Sequence, residues 1–88
     1  MVKVLVVTSE GCKPCSRVKR VLKELQGDIP DLTVEEVDYY SPAGSKLAME
    51  NGITYPPAVF IEGRLFEKGK VHTDAMVASI RKMKGAGN

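Results

Sequence analysis

Tryptophan is absent from this sequence, and the aromatic residues stop at two phenylalanines and three tyrosines. A core drawn from these 88 residues must therefore be mainly Val, Leu, Ile and Met. Long apolar runs are missing too. The longest, such as Val4 to Val7, reach four residues, against the ~20 that a membrane helix needs. No contact with a membrane is expected. The opening Met1-Val2-Lys3-Val4 lacks the apolar stretch and small-residue cleavage site of a secretory signal, which predicts a cytoplasmic protein. Charge of one sign is scarce: 13 Lys+Arg against 11 Asp+Glu leave +2, too slight to predict nucleic-acid binding. Cysteine occurs twice and histidine once, as His72. Two cysteines are too few for a disulfide-stapled secreted scaffold. Three positions apart, they would also close too small a loop to stabilise much by chain entropy.

What remains is the composition of a globular domain, 43% hydrophobic and 27% charged, which argues against wholesale disorder. The length leaves room for one domain, read as residues 1–84, with Gly85-Ala86-Gly87-Asn88 as a flexible tail. Val2 to Thr8 is a β-branched run interrupted only by Lys3 and fits a central strand covered on both faces. From Cys12 to Gln26, Cys15, Val18, Leu22 and Leu25 lie three or four apart, with Lys13, Arg17, Arg20, Lys23 and Glu24 largely outside that stripe. This is an amphipathic helix, with Gly27 as a left-handed stop. Leu32 to Asp38 is a second strand. Val34 and Val37 cannot share a face without a bulge, which an edge position tolerates.

Ser41-Pro42 supplies an N-cap and a first-turn proline for a short helix carrying Leu47 and Met49 and ending at Asn51-Gly52. Ala58 to Ile61 and Arg64 to Phe66 flank Glu62-Gly63, a two-residue hairpin signal. Thr73 or Asp74 caps a last helix carrying Met76, Val77, Ile80 and Met83. The order β-α-β-α-β-β-α, with a right-handed parallel first unit, predicts an α/β fold. It is one four-stranded mixed sheet with helices on both faces.

The chemistry concentrates in Cys12-Lys13-Pro14-Cys15, where strand one feeds helix one. At three-residue helical spacing the two side chains are neighbours, close enough for a disulfide to open and close with little backbone movement. Cys12 falls at the helix start, where unpaired N–H groups and the dipole favour a thiolate, and Lys13 adds a cation. Cys15 lines up with Val18 and Leu22 and should be less exposed. That asymmetry suits one attacking and one resolving thiol. Pro14 has no N–H to lose in a first turn. Other readings stay open here: half of a zinc site, for which His72 is the only histidine, or two inert core thiols. Tyr39 and Tyr40 read as packing and cap residues, and the basic face of helix one as solvated surface.

A strand, a C-x-x-C at the following helix start and a later proline before a hairpin resemble the thioredoxin–glutaredoxin superfamily over roughly Val2 to Met83. The resemblance implies a thioredoxin-like fold and assigns attack to Cys12 and resolution to Cys15. It places a cis-proline, here Pro57, at the start of the third strand, with Pro56 before it offering substrate a carbonyl but no N–H. Length resembles glutaredoxins, whereas Lys13-Pro14 between the cysteines and Gly69 as a substrate-groove glycine resemble thioredoxins. Thr73-Asp74 match a glutaredoxin helix start, but Lys70 and Val71 stand where a glutathione site has Gly-Gly. Gly11 stands where thioredoxins have tryptophan, and strand one carries no Asp.

The function so implied is reduction of protein disulfides, with Lys13, Pro14, Pro56, Pro57 and Gly69 binding substrate. It needs no metal or organic cofactor, and electrons come from a thioredoxin-reductase-type flavoprotein to a monomer. The alternatives are glutathione-coupled glutaredoxin chemistry and a binding module or metal carrier. A copper-carrier chain order, β-α-β-β-α-β, is disfavoured by the helix ahead of the hairpin.

Overall fold

The β-branched run at the N-terminus forms β1 (Val2–Thr8), the inner strand of the computed structural model, which describes residues 2–86. After it come α1 (Lys13–Asp28), β2 (Leu32–Asp38), α2 (Pro42–Asn51), β3 (Ala58–Ile61), β4 (Arg64–Lys68) and α3 (Thr73–Ala86). The sheet order is β2-β1-β3-β4. β2 runs parallel to β1 from Val2↔Leu32 to Thr8↔Asp38, and β3 pairs antiparallel from Val4↔Ile61 to Val7↔Ala58. Among the described residues no helix is long and apolar enough to cross a membrane.

Alternation along β1 divides the core. Val2, Val4 and Val6 pack with the buried stripe of α1 and with Met76 and Ile80 of α3. Val7 packs with Ala48 of α2 and with Ile53, Ala58 and Phe60. The α1 stripe is the expected one, Cys15, Val18, Leu22 and Leu25. Full burial of each of its larger side chains contributes about 1.5–3 kcal/mol.

Several local expectations change. Gly27 is no left-handed stop: α1 continues through it to Asp28. The end is set by Pro30, because a residue before proline is driven out of the helical region. Ile29 accordingly sits at φ −124°, ψ 88°, with its side chain buried and its N–H on the Leu25 carbonyl at 2.8 Å. β2 needs no bulge, since its register with β1 is unbroken. Val34 packs on the α1 side while half-buried Val37 stands opposite Val7. The irregularity lies instead between Val59 and Phe60, and β4 extends to Lys68.

Met49 is 86% exposed, and α2 buries Gly44 and Ala48 instead. Gly44 has a packing reason, because a Cβ there would overlap the Asp38 carbonyl oxygen. Ser41 caps α2 and Gly52 ends it, as expected. In the hairpin both Glu62 (φ 52°) and Gly63 (φ 80°) are left-handed, as a type I′ turn requires. The Glu62 N–H is tied to the Lys3 carbonyl at 2.9 Å. The expected tail at 85–88 overlaps the end of α3, and Gly87 and Asn88 lie outside the described residues.

Candidate active site

β1 ends at buried Thr8, and the turn through Gly11 delivers Cys12 as the N-cap of α1. Cys12 and Cys15 are joined in a disulfide with Cα atoms 5.2 Å apart, within the ordinary range for such a bond. The Cys12 sulfur accepts the Cys15 N–H at 3.1 Å, in the manner of a capping side chain. The Cys12 carbonyl accepts both the N–H and the hydroxyl of Ser16, at 3.1 and 3.2 Å. Cys15 is 1% exposed, Cys12 is only half-buried, and Lys13 and Pro14 are exposed.

The second half of the site comes from the far end of the chain. The Pro56–Pro57 bond is cis, Pro57 is buried and Pro56 half-buried. The Gly69 N–H donates to the Pro57 carbonyl at 2.7 Å, fastening the end of β4 to the start of β3. Gly69 is left-handed at φ +76°, and the Tyr55 ring lies about 3.0 Å from where its Cβ would be. Pro14, Arg17, Pro57, Gly69, Lys70 and Val71 line one shallow groove of about 230 Å³. Three of the expected substrate-binding residues, Pro14, Pro57 and Gly69, thus converge. Lys13 lines an adjoining groove with Ser16, Arg17 and Arg20. Pro56 lines neither and reaches the site only as the neighbour of Pro57.

Sequence spacing carried no sign of several contacts. The Thr8 hydroxyl donates to Glu36 at 2.6 Å, and Lys19 pairs with the same oxygen at 3.1 Å. The Thr8 bond, with help from Lys19 and against partial desolvation, lowers the Glu36 carboxyl below its ordinary value. Glu67 accepts the His72 backbone N–H and meets the His72 ring Nδ1, both at 2.8 Å. The backbone N–H is the larger reason why Glu67 is also lowered. Tyr39, just past β2, donates its hydroxyl to the Ile53 and Thr54 carbonyls, and Tyr40, although 76% exposed, packs edge-on against the Tyr39 ring with centroids 5.0 Å apart. Thr8 and Lys19 meet Glu36 across 28 and 17 positions, separations that no periodicity betrays. Among the described residues no group of three or more His, Cys, Asp or Glu could hold a metal ion.

The glutaredoxin family model matches residues 4–66. A thioredoxin of Methanocaldococcus jannaschii is 34% identical over 82 residues, covering 92% of this chain and 94% of that protein. Oxidised thioredoxin O2 from Arabidopsis thaliana superposes with a TM-score of 0.74 at 20% identity, over 94% of this chain and 75% of that one. A thioredoxin f2, solved in complex with ferredoxin:thioredoxin reductase, gives 0.71 at 21% identity, over 94% and 77%. Fold and dithiol site together define a protein-disulfide oxidoreductase of thioredoxin-like architecture. The chain belongs to the glutaredoxin family, within the thioredoxin–glutaredoxin superfamily.

Proposed function

We propose that Cys12 is the attacking thiol and Cys15 the resolving thiol of an enzyme that reduces disulfides in other proteins. The asymmetry between the two sulfurs carries this reading: Cys15 is sealed beneath α1 while Cys12 reaches solvent at the helix start. In the reduced protein the Cys15 N–H, which bonds the Cys12 sulfur in the disulfide, supports a thiolate there. That thiolate attacks one sulfur of the substrate. The substrate S–S bond breaks, a mixed disulfide forms, and the departing sulfur takes up a proton. Cys15 then loses its proton and attacks the Cys12 sulfur, releasing the second substrate thiol and restoring the Cys12–Cys15 bond. Two electrons and two protons pass from the dithiol to the substrate without a metal or organic cofactor.

Pro14, Pro57 and Gly69 form the floor over which substrate lies, with Lys13 and Pro56 at its margins. A thioredoxin-reductase-type flavoprotein reduces the protein again. Lys70 and Val71, both on or beside this groove rather than a Gly-Gly pair, favour that donor over glutathione. The family match and Thr73-Asp74 at the start of α3 favour glutathione instead. Reduction rates by the two donors, measured side by side, separate them. The protein works as a monomer in the cytoplasm, where dithiols are kept reduced. A folded Cys15→Ser variant should accumulate mixed disulfides with extract proteins, all through Cys12 and all released by dithiothreitol. Cys12→Ser should trap nothing and turn over nothing. Alkylation that labels Cys15 before Cys12 would reverse the roles.

A further inference from the structure

The cations on α1 run against the rules for a stable helix. Its first turn holds no acidic residue and opens on Lys13, although the dipole there favours negative charge. Lys13, Arg17 and Arg20 are spaced four and three apart, so they crowd one another as neighbours of like sign. A cation beside the Cys12 thiolate accounts for Lys13 but not for the two arginines further along. Sequences that break local rules without a packing reason do so most often at functional surfaces.

The grooves give these charges a place. Arg17 lines both, so the groove over Pro14, Pro57 and Gly69 continues past it into the one lined by Lys13, Ser16 and Arg20. Lys70 adds a cation from the opposite wall. Among the described residues no acidic side chain lines either groove, and none of these four cations is in an ion pair. The chain carries only +2 overall, so this is a local concentration of charge.

Building on the disulfide exchange proposed above, we infer that the protein selects protein disulfides flanked by acidic residues. A segment laid across Pro57 and Gly69 brings its disulfide to Cys12 and its neighbouring carboxylates to Arg17, Arg20, Lys13 and Lys70. Nucleic acid would satisfy the charges but offers the dithiol nothing to reduce. Such complementarity acts chiefly on the rate of encounter and is screened by salt.

The test uses three synthetic peptides sharing one disulfide loop and flanked by runs of aspartate, asparagine or lysine. The reduced full-length protein is assayed with a dithiol donor at low and high ionic strength. The aspartate peptide should exceed the lysine peptide in kcat/KM by on the order of tenfold at low salt, with the gap closing in high salt. In Arg17→Glu/Arg20→Glu the preference should disappear, because Lys13 and Lys70 then face two carboxylates, and in Arg17→Gln/Arg20→Gln it should shrink, with circular dichroism confirming that both stay folded. Equal rates on all three peptides at low salt would overturn the selectivity and leave disulfide reduction standing. Failure to reduce any of them would remove the exchange reading on which it rests.

Discussion

Helix α1 holds its side of the groove through Cys15, Val18, Leu22 and Leu25, all buried beneath its solvent face, with Val18 also lining the groove. The facing wall, the turn from Gly69 to His72, is held at its ends. The Gly69 N–H is on the Pro57 carbonyl and the His72 N–H is on Glu67, with half-buried Val71 as the apolar anchor between them. One wall rests on area removed from water, the other on a few hydrogen bonds at the surface. Burial of a large side chain is worth a few kcal/mol, whereas an exposed hydrogen bond or ion pair is worth about one or less. The α1 wall, which carries both sulfurs, is therefore the rigid one, and the turn from Gly69 to His72 is the freer to adjust.

That contrast breaks first at Leu22. Leu22→Ala should lower unfolding free energy by about 2–5 kcal/mol, read from urea titration, because the side chain is fully buried between α1 and the sheet. The folded fraction should still exchange disulfides, since nothing at Cys12 has moved. A loss below 1 kcal/mol would mean that α1 is not held by its stripe. A smaller effect is expected at Gly69→Ala on the other wall. Alanine at φ +76° costs about 1–2 kcal/mol, and its Cβ pushes on the Tyr55 ring, which is 59% exposed and free to swing aside. Here the reading that matters is KM for a peptide disulfide, which should rise because the groove floor has gained a methyl group.

The same contrast explains what could be read without coordinates. The α1 wall announced itself by a three-and-four spacing from Cys15 to Leu25 and by two cysteines at one helix start. The β-branched run of β1, Ser41-Pro42 and Glu62-Gly63 were equally legible, because each rests on a local rule. Pro57 and Gly69 were reached only through resemblance, since no local pattern links positions twelve apart. The Glu67–His72 and Thr8–Glu36 bonds were not reached at all. Gly27 misled because a glycine after a helical stripe suggests a stop, when the stronger restriction came from Pro30, three residues further on. Met49 misled for a related reason: a short helix with Gly44 pressed on Asp38 buries its small face, which turns its largest apolar side chain outward.

The weakest expected effect is also the one that isolates the loop wall. Glu67 is held below its ordinary value of 4.5 first by the His72 backbone N–H and further by the His72 ring. A carboxylate lowered on folding adds stability that is complete above its unfolded value and is lost as pH falls through the folded one. Glu67→Ala should therefore cost about 0.5–1 kcal/mol near neutrality, and the difference from wild type should close as the pH drops below 4.5. Glu36, lowered chiefly by the Thr8 hydroxyl, behaves with the same sign, so the Glu67→Ala variant keeps an acid-labile component of its own. If the clasp positions the groove, Glu67→Ala should raise KM for a peptide disulfide about two- to threefold at unchanged kcat, the equivalent of roughly 0.5 kcal/mol. Glu67→Gln keeps an oxygen for the His72 N–H and should recover part of that loss. Leu22→Ala, although much less stable, should leave KM alone. A KM that follows stability across all these variants would mean the two walls share one support, and the contrast between them would fail.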